Sequence, residues 1–382
     1  MQNCEVLIVG GGPAGSSCAA QLVQAGLDVL VIDRKTFPRD KTCAGWVTPQ
    51  VWDVLGVDPA DYGTSHVCQP ITGFRTGMIG GEEVATDYGR VVSYGIRRCE
   101  FDHFLLDRSG APCQFGIDVH DIRREGTGWI INDAIRAAVL IGAGGHFCPV
   151  ARALGGREGG QIVTVAAQEI EFELPPEEIA KLRCRGEVPE LYFCEDLAGY
   201  GWCFLKGNFL NIGLGRLNSP GVSAHVQAFC QFLRDRGRIA CELPERFHGH
   251  AYRIYERIEP KLVDDGVLFI GDAAGLAYPQ SGEGIRPAVE SGLLAADVLI
   301  AAAGNYSASS LSPYASEIHK RFGTPRASAV SDWLPAGFLR FAAARLMSTR
   351  WFTRSVVLDR WFLHAADPVL PAKRSAPVLT AR

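Results

Sequence analysis

The chain has 382 residues, room for a large core and, at about 150 residues per domain, for two closely joined domains or one elaborate one. Its net charge of -4, with no basic stretch interleaved with aromatics, excludes a nucleic-acid binder; its twelve cysteines, spread from Cys4 to Cys241 without a C-x-x-C pair, indicate no metal site and read as reduced thiols. The first strand starts by Glu5, leaving no room for a signal peptide, and no apolar run of about 20 residues spans a bilayer, so a cytoplasmic protein, soluble or peripherally attached to a membrane, is expected.

The chain opens with a β-branched strand, Glu5 to Val9, that runs into Gly10-Gly11-Gly12-Pro13-Ala14-Gly15, an Ala-rich helix and a second strand, Leu27 to Ile32, ending at Asp33 and Arg34. Gly10 makes the tight turn, Gly12 lets the backbone approach a pyrophosphate, and Gly15 lets the helix pack on the sheet. The phosphate charge is met by the helix's free N–H groups and dipole, and Asp33 stands where a carboxylate bonds ribose hydroxyls. Strand, G-x-G-x-x-G, helix and acid in this order predict a dinucleotide site. The motif reads only the adenosine diphosphate that FAD and NAD share.

Residues Arg34 to Lys41, interrupted by Pro38, predict a loop, and Thr42-Cys43-Ala44-Gly45-Trp46 a small-residue turn leading into a helix from Thr48 to Leu55. Cys43 is either a buried turn cysteine or a thiol beside a redox centre. Short glycine-rich strands are expected from Gly73 to Tyr94. Arg97 and Arg98 then open a helix with Phe101, Leu105 and Leu106 on one face and Asp102 four residues after Arg98. Strands follow at Val119 to Arg123, Trp129 to Asn132 and Ala137 to Ile141. The last feeds Gly142 to Gly145, which lacks the helix and acid of an independent dinucleotide fingerprint, so no separate NAD(P)H domain is visible.

Gln161 to Leu174, Glu190 to Phe193, Tyr200 to Lys206 and Phe209 to Leu214 predict a second, antiparallel sheet, with Gly207-Asn208 as a hairpin turn. Tyr200, Trp202 and Phe204 fall on one face at period two. The chain returns to the nucleotide domain at Val267 to Ile270, a fully apolar strand ending in Gly271-Asp272. A loop through Gly282, Glu283, Gly284 and Ile285 leads into a helix from about Arg286 to Ala303. An aspartate at a strand end can bond a ribityl hydroxyl, and a glycine-rich helix N-terminus favours the negative charge of a reduced flavin. The tail from Trp333 to Leu363 carries Trp333, Trp351, Trp361, Phe338, Phe341, Phe352 and Phe362, with five arginines against one acid, Asp359. It suits helices packed on the body, a lipophilic cavity or a membrane surface.

Together these segments resemble the geranylgeranyl reductase family, flavoproteins with the glutathione-reductase and p-hydroxybenzoate-hydroxylase type of FAD domain. Gly10, Gly12, Gly15 and Asp33 match the first FAD motif, Arg98 and Asp102 the R-x-x-F-D segment, and Gly271-Asp272 the second FAD motif. Tyr200-Gly201-Trp202-Cys203-Phe204 with Gly213 and Gly215 is similar to the Y-x-W-x-F-P…G-x-G signature that lines the family's substrate cavity, with Leu205 in place of the proline. Cys43 falls where these reductases carry a cysteine near the flavin, with Ala44 replacing the glycine usual after it.

The resemblance implies an α/β fold: a Rossmann-like FAD-binding domain (1–67, 96–159 and 260–305), an inserted antiparallel-sheet substrate domain (68–95 and 160–259) and a helical C-terminal region (306–382). It implies FAD held by Gly10, Gly12, Pro13, Ala14, Gly15, Asp33, Arg34, Cys43, Ala44, Arg98, Gly271, Asp272, Gly282, Gly284 and Ile285. The implied reaction is reduction of C=C bonds in a prenyl or other lipophilic substrate by hydride from flavin N5, with Cys43 supplying or relaying a proton and Tyr200 and Trp202 positioning the chain. The reductant would be NAD(P)H docking transiently or a protein donor.

Two rival readings share the fold. A flavin monooxygenase would keep the same FAD motifs. Halogenation is disfavoured, because no lysine lies between Lys41 and Lys181 and one tryptophan stands where halogenases carry two. A prenyl-protein escort similar to the GDP-dissociation inhibitors would have no use for Asp272, Gly282 and Gly284.

Overall fold

A computed structural model describes residues 1–155, 164–217, 221–254, 260–324 and 336–371. The first strand (Gln2–Val9) pairs in parallel with Val29–Asp33 on one side and with Ile135–Gly142 on the other. Val267–Phe269 extends the sheet beyond Ile135–Gly142, and Cys113–Phe115 extends it beyond Val29–Asp33. The strands are apolar along their whole length because the sheet is covered on both faces: Val6, Leu7, Ile8, Val31, Ile32 and Val139 to Ile141 are fully buried. An antiparallel hairpin, Ile122–Glu125 with Gly128–Ile131, is added to Ile135–Gly142.

Two helices lie together across this sheet, Pro13–Gln24 and Ile285–Ala302. Gly292 permits the approach, since a Cβ there would stand 2.3 Å from the Ala14 carbonyl oxygen. The adjacent strands ending at Val9, Gly142 and Phe269 and the starts of both helices therefore converge at one end of the sheet. In a doubly wound fold that is where ligands bind.

The second sheet has seven strands. Its central run joins Thr164–Glu173, Phe209–Leu217, Gly199–Lys206 and Glu190–Phe193 antiparallel, with His248–Arg253 at one edge. Gly73–Met78 and Glu83–Asp87 complete the other edge. Residues 68–95, expected wholly in this sheet, divide: Cys68–Ile71 and Ser93–Ile96 pair with each other, and Trp46–Val47 joins them in a separate three-stranded sheet. Pairing with the turn after Cys43 draws these strands toward the nucleotide domain. Residues 161–163 of the expected strand lie outside the described residues.

One face of the seven-stranded sheet carries Cys203, Leu205, Leu210, Ile212 and Leu214 against the helix Val222–Asp235, whose Val226, Phe229, Cys230 and Leu233 are buried on it. Leu205, which stands in place of the signature's proline, thus faces this core. The other face carries Trp202 and Phe204 into a cluster with Trp46, Ile71, Phe74, Met347, Leu358 and Phe362. The C-terminal helices therefore pack on the body through Met347, Leu358 and Phe362, while Trp351 stays 70% exposed. Trp333 lies outside the described residues, as do the side chains of Phe338 and Phe341. Among the described residues no helix is long and apolar enough to cross a membrane.

Candidate functional site

The glycine turn sits at the C-terminal end of the first strand, where Gly10 approaches the Ala143 carbonyl and Gly12 is the N-cap of the first helix. Gly12 supplies no side chain to cap that helix, no acid follows in the first turn, and Pro13, Ala14 and Gly15 are buried in it. Asp33 closes the turn: its Oδ2 accepts from the Gly11 amide at 2.9 Å and its Oδ1 from the Lys35 amide at 2.8 Å. Arg34 beside it is exposed and does not join the groups around Cys43.

The second glycine loop meets the first. Gly271 opens a short 3-10 turn that carries Asp272, and Gly284 is the N-cap of the 18-residue helix that begins at Ile285. A Cβ on Gly284 would fall 3.1 Å from Asp272 Oδ1, and one on Gly282 would strike the Tyr252 hydroxyl. Two helix N-termini without side-chain caps from their N-cap residues, with an aspartate beside the second, form a cradle that side chains would fill. The donor set fits FAD: the first helix start suits its pyrophosphate, the second the ring's N1 and C2=O edge.

Arg98, Asp102, Cys43 and Asp272, singled out from the sequence, meet three polar groups that were not, Arg39, Lys41 and His250. Arg98 donates to both oxygens of Asp102, Nε at 2.7 Å and Nη2 at 2.8 Å, and its charge also interacts with Cys43, whose Sγ accepts from the Gly45 amide at 3.4 Å. Asp102 is fully buried, and Arg39 approaches it at 3.3 Å from the edge of the glycine turn. Lys41 interacts with Arg98, Asp272, Cys43 and Asp102. Desolvation and the Arg98 charge lower its ammonium to about 8 against the pull of the acids. His250, whose Nε2 lies 3.9 Å from Asp272, is lowered by burial, Lys41 and Arg98 despite that carboxylate. Burial works to raise Asp272, but the nearby His250 imidazole and the Lys41 charge hold it below the usual carboxylate value.

The aromatic face adjoins the same turn through Ala44, while Cys43 itself packs against the cluster of Val47, Trp52 and Phe101. Tyr200 stands 6.0 Å from Trp202, 5.8 Å from Phe193 and 5.1 Å from Phe362 between ring centroids, and Trp46 stacks on Phe74 and Phe362. The Tyr200 hydroxyl donates to the Ser281 carbonyl, tying this face to the second glycine loop. Ala44 packs against the same cluster, whereas Ile285 is buried in a separate one with Trp52 and Phe101. Gly213 explains half of the G-x-G spacing: a Cβ there would meet Trp202 Cζ2 at 2.3 Å, so the indole lies flat across the neighbouring strand.

The indole reaches a buried polar group. Trp202 Nε1 donates to Asn211 Oδ1 at 2.6 Å, and Asn211 Nδ2 donates to Glu171 at 3.0 Å and Glu169 at 3.4 Å. Lys206, fully buried, pairs with Glu171. Burial raises the Glu169 carboxyl to about 8, with Glu171 adding to the shift and Lys206, the Cys43 amide and Asn211 opposing it. A signal for these residues exists in the sequence: Glu169 and Glu171 lie two apart and so share one strand face with Val165 and Ala167, and Asn211 interrupts an otherwise mostly apolar strand.

The structure thus brings together Gly10, Gly12, Asp272 and Gly284 at the converging strand and helix ends. It sets Arg98 within electrostatic reach of Cys43, and Tyr200 beside Trp202 on the aromatic face.

The FAD binding domain family matches residues 3–57. Menaquinone reductase from Mycobacterium tuberculosis (strain ATCC 25618 / H37Rv) is 30% identical over 323 residues, covering 78% of this chain and 76% of that protein. Digeranylgeranylglycerophospholipid reductase 3 from Methanosphaera stadtmanae is 28% identical over 353 residues, covering 85% and 84%. Among solved structures, a geranylgeranyl bacteriochlorophyll reductase-like protein from Thermoplasma acidophilum superposes with a TM-score of 0.71 at 20% identity, covering 91% of this chain and 88% of that one. A probable FAD-dependent monooxygenase from Pseudomonas aeruginosa has the same fold, with a TM-score of 0.64 at 18% identity over 92% and 98% of the two chains.

Proposed function

Because the chain belongs to the geranylgeranyl reductase family of FAD-dependent oxidoreductases, we propose that it saturates a C=C bond in the prenyl chain of a lipid or quinone. The observation that carries this reading is the buried aromatic face of Tyr200, Trp202, Phe193, Trp46 and Phe362 beside Cys43 and the two glycine-capped helix starts. Reduced FAD, when bound, supplies the hydride. Tyr200 and Trp202 hold the apolar chain and keep water from it. Cys43 delivers a proton from Sγ to the second alkene carbon; the Gly45 amide directs that sulfur, and the charge of Arg98, itself held by Asp102, favours the thiolate left behind. The N–H groups at Gly284 favour negative charge on the ring. The reductant, NAD(P)H or a protein donor, comes from outside this chain.

The test is anaerobic. Dithionite-reduced, FAD-loaded protein, freed of excess dithionite and mixed with a digeranylgeranylglycerophospholipid, which has no quinone ring to take the electrons, should regain its oxidised flavin spectrum, and the prenyl chain should gain two hydrogen atoms. The monooxygenase reading, favoured by the shared fold with the Pseudomonas protein, requires no anaerobic reoxidation and the gain of one oxygen atom in air; that pair of results would overturn the proposal.

A lipid substrate also gives a use to the exposed groups of the C-terminal helices, where Trp351 and Leu346 lie among Arg345, Arg350 and Arg354. We infer peripheral contact with an anionic membrane. Co-sedimentation with phosphatidylglycerol vesicles, weakened in a Trp351→Ala, Arg354→Ala variant and absent with phosphatidylcholine alone, tests it.

A further inference from the structure

The Cys43 turn is gripped from the second sheet at two consecutive residues. The Cys43 amide donates to Glu169 Oε1 at 2.5 Å, and the Ala44 carbonyl accepts from Lys206 Nζ at 3.0 Å. Lys206 also donates to the Ile96 carbonyl at 3.0 Å and pairs with Glu171. Asn211 lies between the two carboxylates and takes the Trp202 indole N–H on its other end. The ring that lines the aromatic face and the peptide that carries the thiol are therefore two ends of one hydrogen-bonded chain: Trp202, Asn211, Glu169, Cys43.

Glu169, Lys206 and Asn211 are all buried, and taking such groups out of water is costly. Apolar side chains on the same face would join the two domains without that cost, but without direction. What the polar groups add is a fixed orientation, which a fully bonded network supplies and an apolar contact does not.

We propose that Glu169 and Asn211 are positioning residues: they hold the Cys43 backbone at the angle that aims its thiol into the cofactor cavity, and they transmit displacement of the Trp202 ring to it. The proposal rests on the placement of Cys43 beside FAD given above.

The charge on Glu169 then matters to Cys43. Glu171 on the same strand, Lys206 and Asn211 on the neighbouring strands and the Cys43 amide all interact with its carboxyl; Arg97 pairs with Glu171 at 3.2 Å. The edge strand sets His248 opposite Glu169 in register, with His250 two residues further on. Neutral Glu169 leaves Glu171 balanced by Lys206 and Arg97. Ionised Glu169 adds a second negative charge beside Glu171 and beneath the Cys43 peptide.

The experiment reads the thiol directly, without turnover. FAD-loaded wild type, Glu169→Gln and Glu169→Ala are alkylated with iodoacetamide between about pH 6 and pH 10, and each cysteine peptide is followed by mass spectrometry. Beyond the rise with pH that every thiol shows as it ionises, the wild-type Cys43 rate should show an additional step near pH 8, absent from the other cysteines. Glu169→Gln, whose amide oxygen can still accept from the Cys43 N–H, should keep the wild-type rate at neutral pH and lose the step. Glu169→Ala should change the neutral-pH rate on the order of fivefold, with Cys4 and Cys113 on the parallel sheet unaffected. A Glu169→Gln profile that keeps the step, or a Glu169→Ala rate equal to wild type, would overturn the proposal. Because the thiol is read without an alkene, failure of prenyl reduction would leave this result interpretable, and the reverse also holds.

Discussion

The two faces of the seven-stranded sheet are built from the same strands and differ in what they bury. Toward the helix Val222–Asp235 the sheet presents Leu205, Leu210, Ile212 and Leu214, all apolar and close-packed. Toward the nucleotide domain the alternate residues of those strands are Trp202, Phe204, Lys206 and Asn211, joined by Glu169 and Glu171. A strand with period two can assign stability to one face and chemistry to the other, and the charges on the second face are tolerated because each is bonded.

The sharpest test of that division is Cys43→Ala. It should retain FAD and lose turnover by about 10² to 10⁴-fold with little change in unfolding midpoint; normal turnover would remove Cys43 from the reaction. The converse variant is Phe229→Ala on the helix side. It should cost about 3–5 kcal/mol in denaturant unfolding while the folded fraction keeps its activity, and a selective loss of activity would break the comparison. Gly213→Ala lies between the two. The new methyl would displace the Trp202 indole, at a cost of about 1–3 kcal/mol and with a fall in turnover, seen as a change in tryptophan fluorescence together with kcat.

The remaining test concerns pH. Because the folded protein holds the Glu169 proton up to about 8, against an ordinary value of 4.5, it binds more protons than the unfolded chain within that window. The wild type should therefore lose stability relative to Glu169→Gln as pH rises through the window, and the difference should be constant above it. Urea unfolding at a series of pH values measures the trend, and parallel curves for the two proteins would contradict it.

How much of this could be read from the chain depends on the distance in sequence between partners. Gly10 to Gly15 with Asp33, and Gly271-Asp272 with Gly284, are local: one turn and one following helix define each, so spacing alone reveals them. Tyr200, Trp202 and Gly213 are legible because adjacent strands at period two fix which residues share a face. The Glu169 bond to Cys43 spans two domains, and nothing near either residue announces it. Arg39, Lys41 and His250 escaped for the same reason, since a charged residue in a loop acquires meaning only from the acid it meets after folding. The division of residues 68–95 between two sheets was likewise hidden, because pairing with Trp46–Val47 is decided by tertiary contact.

Phe362 packs on Trp46 and Tyr200, so the last helical turn is a wall of the same aromatic face that the first domain begins. During synthesis that wall leaves the ribosome after every other residue of the face. Until it does, Trp46, Phe74, Phe193 and Tyr200 lack its cover, and the nascent protein carries an open apolar surface. A chain cut short before Phe362 would therefore keep all its cofactor-facing glycines beside a sticky, unfinished substrate chamber.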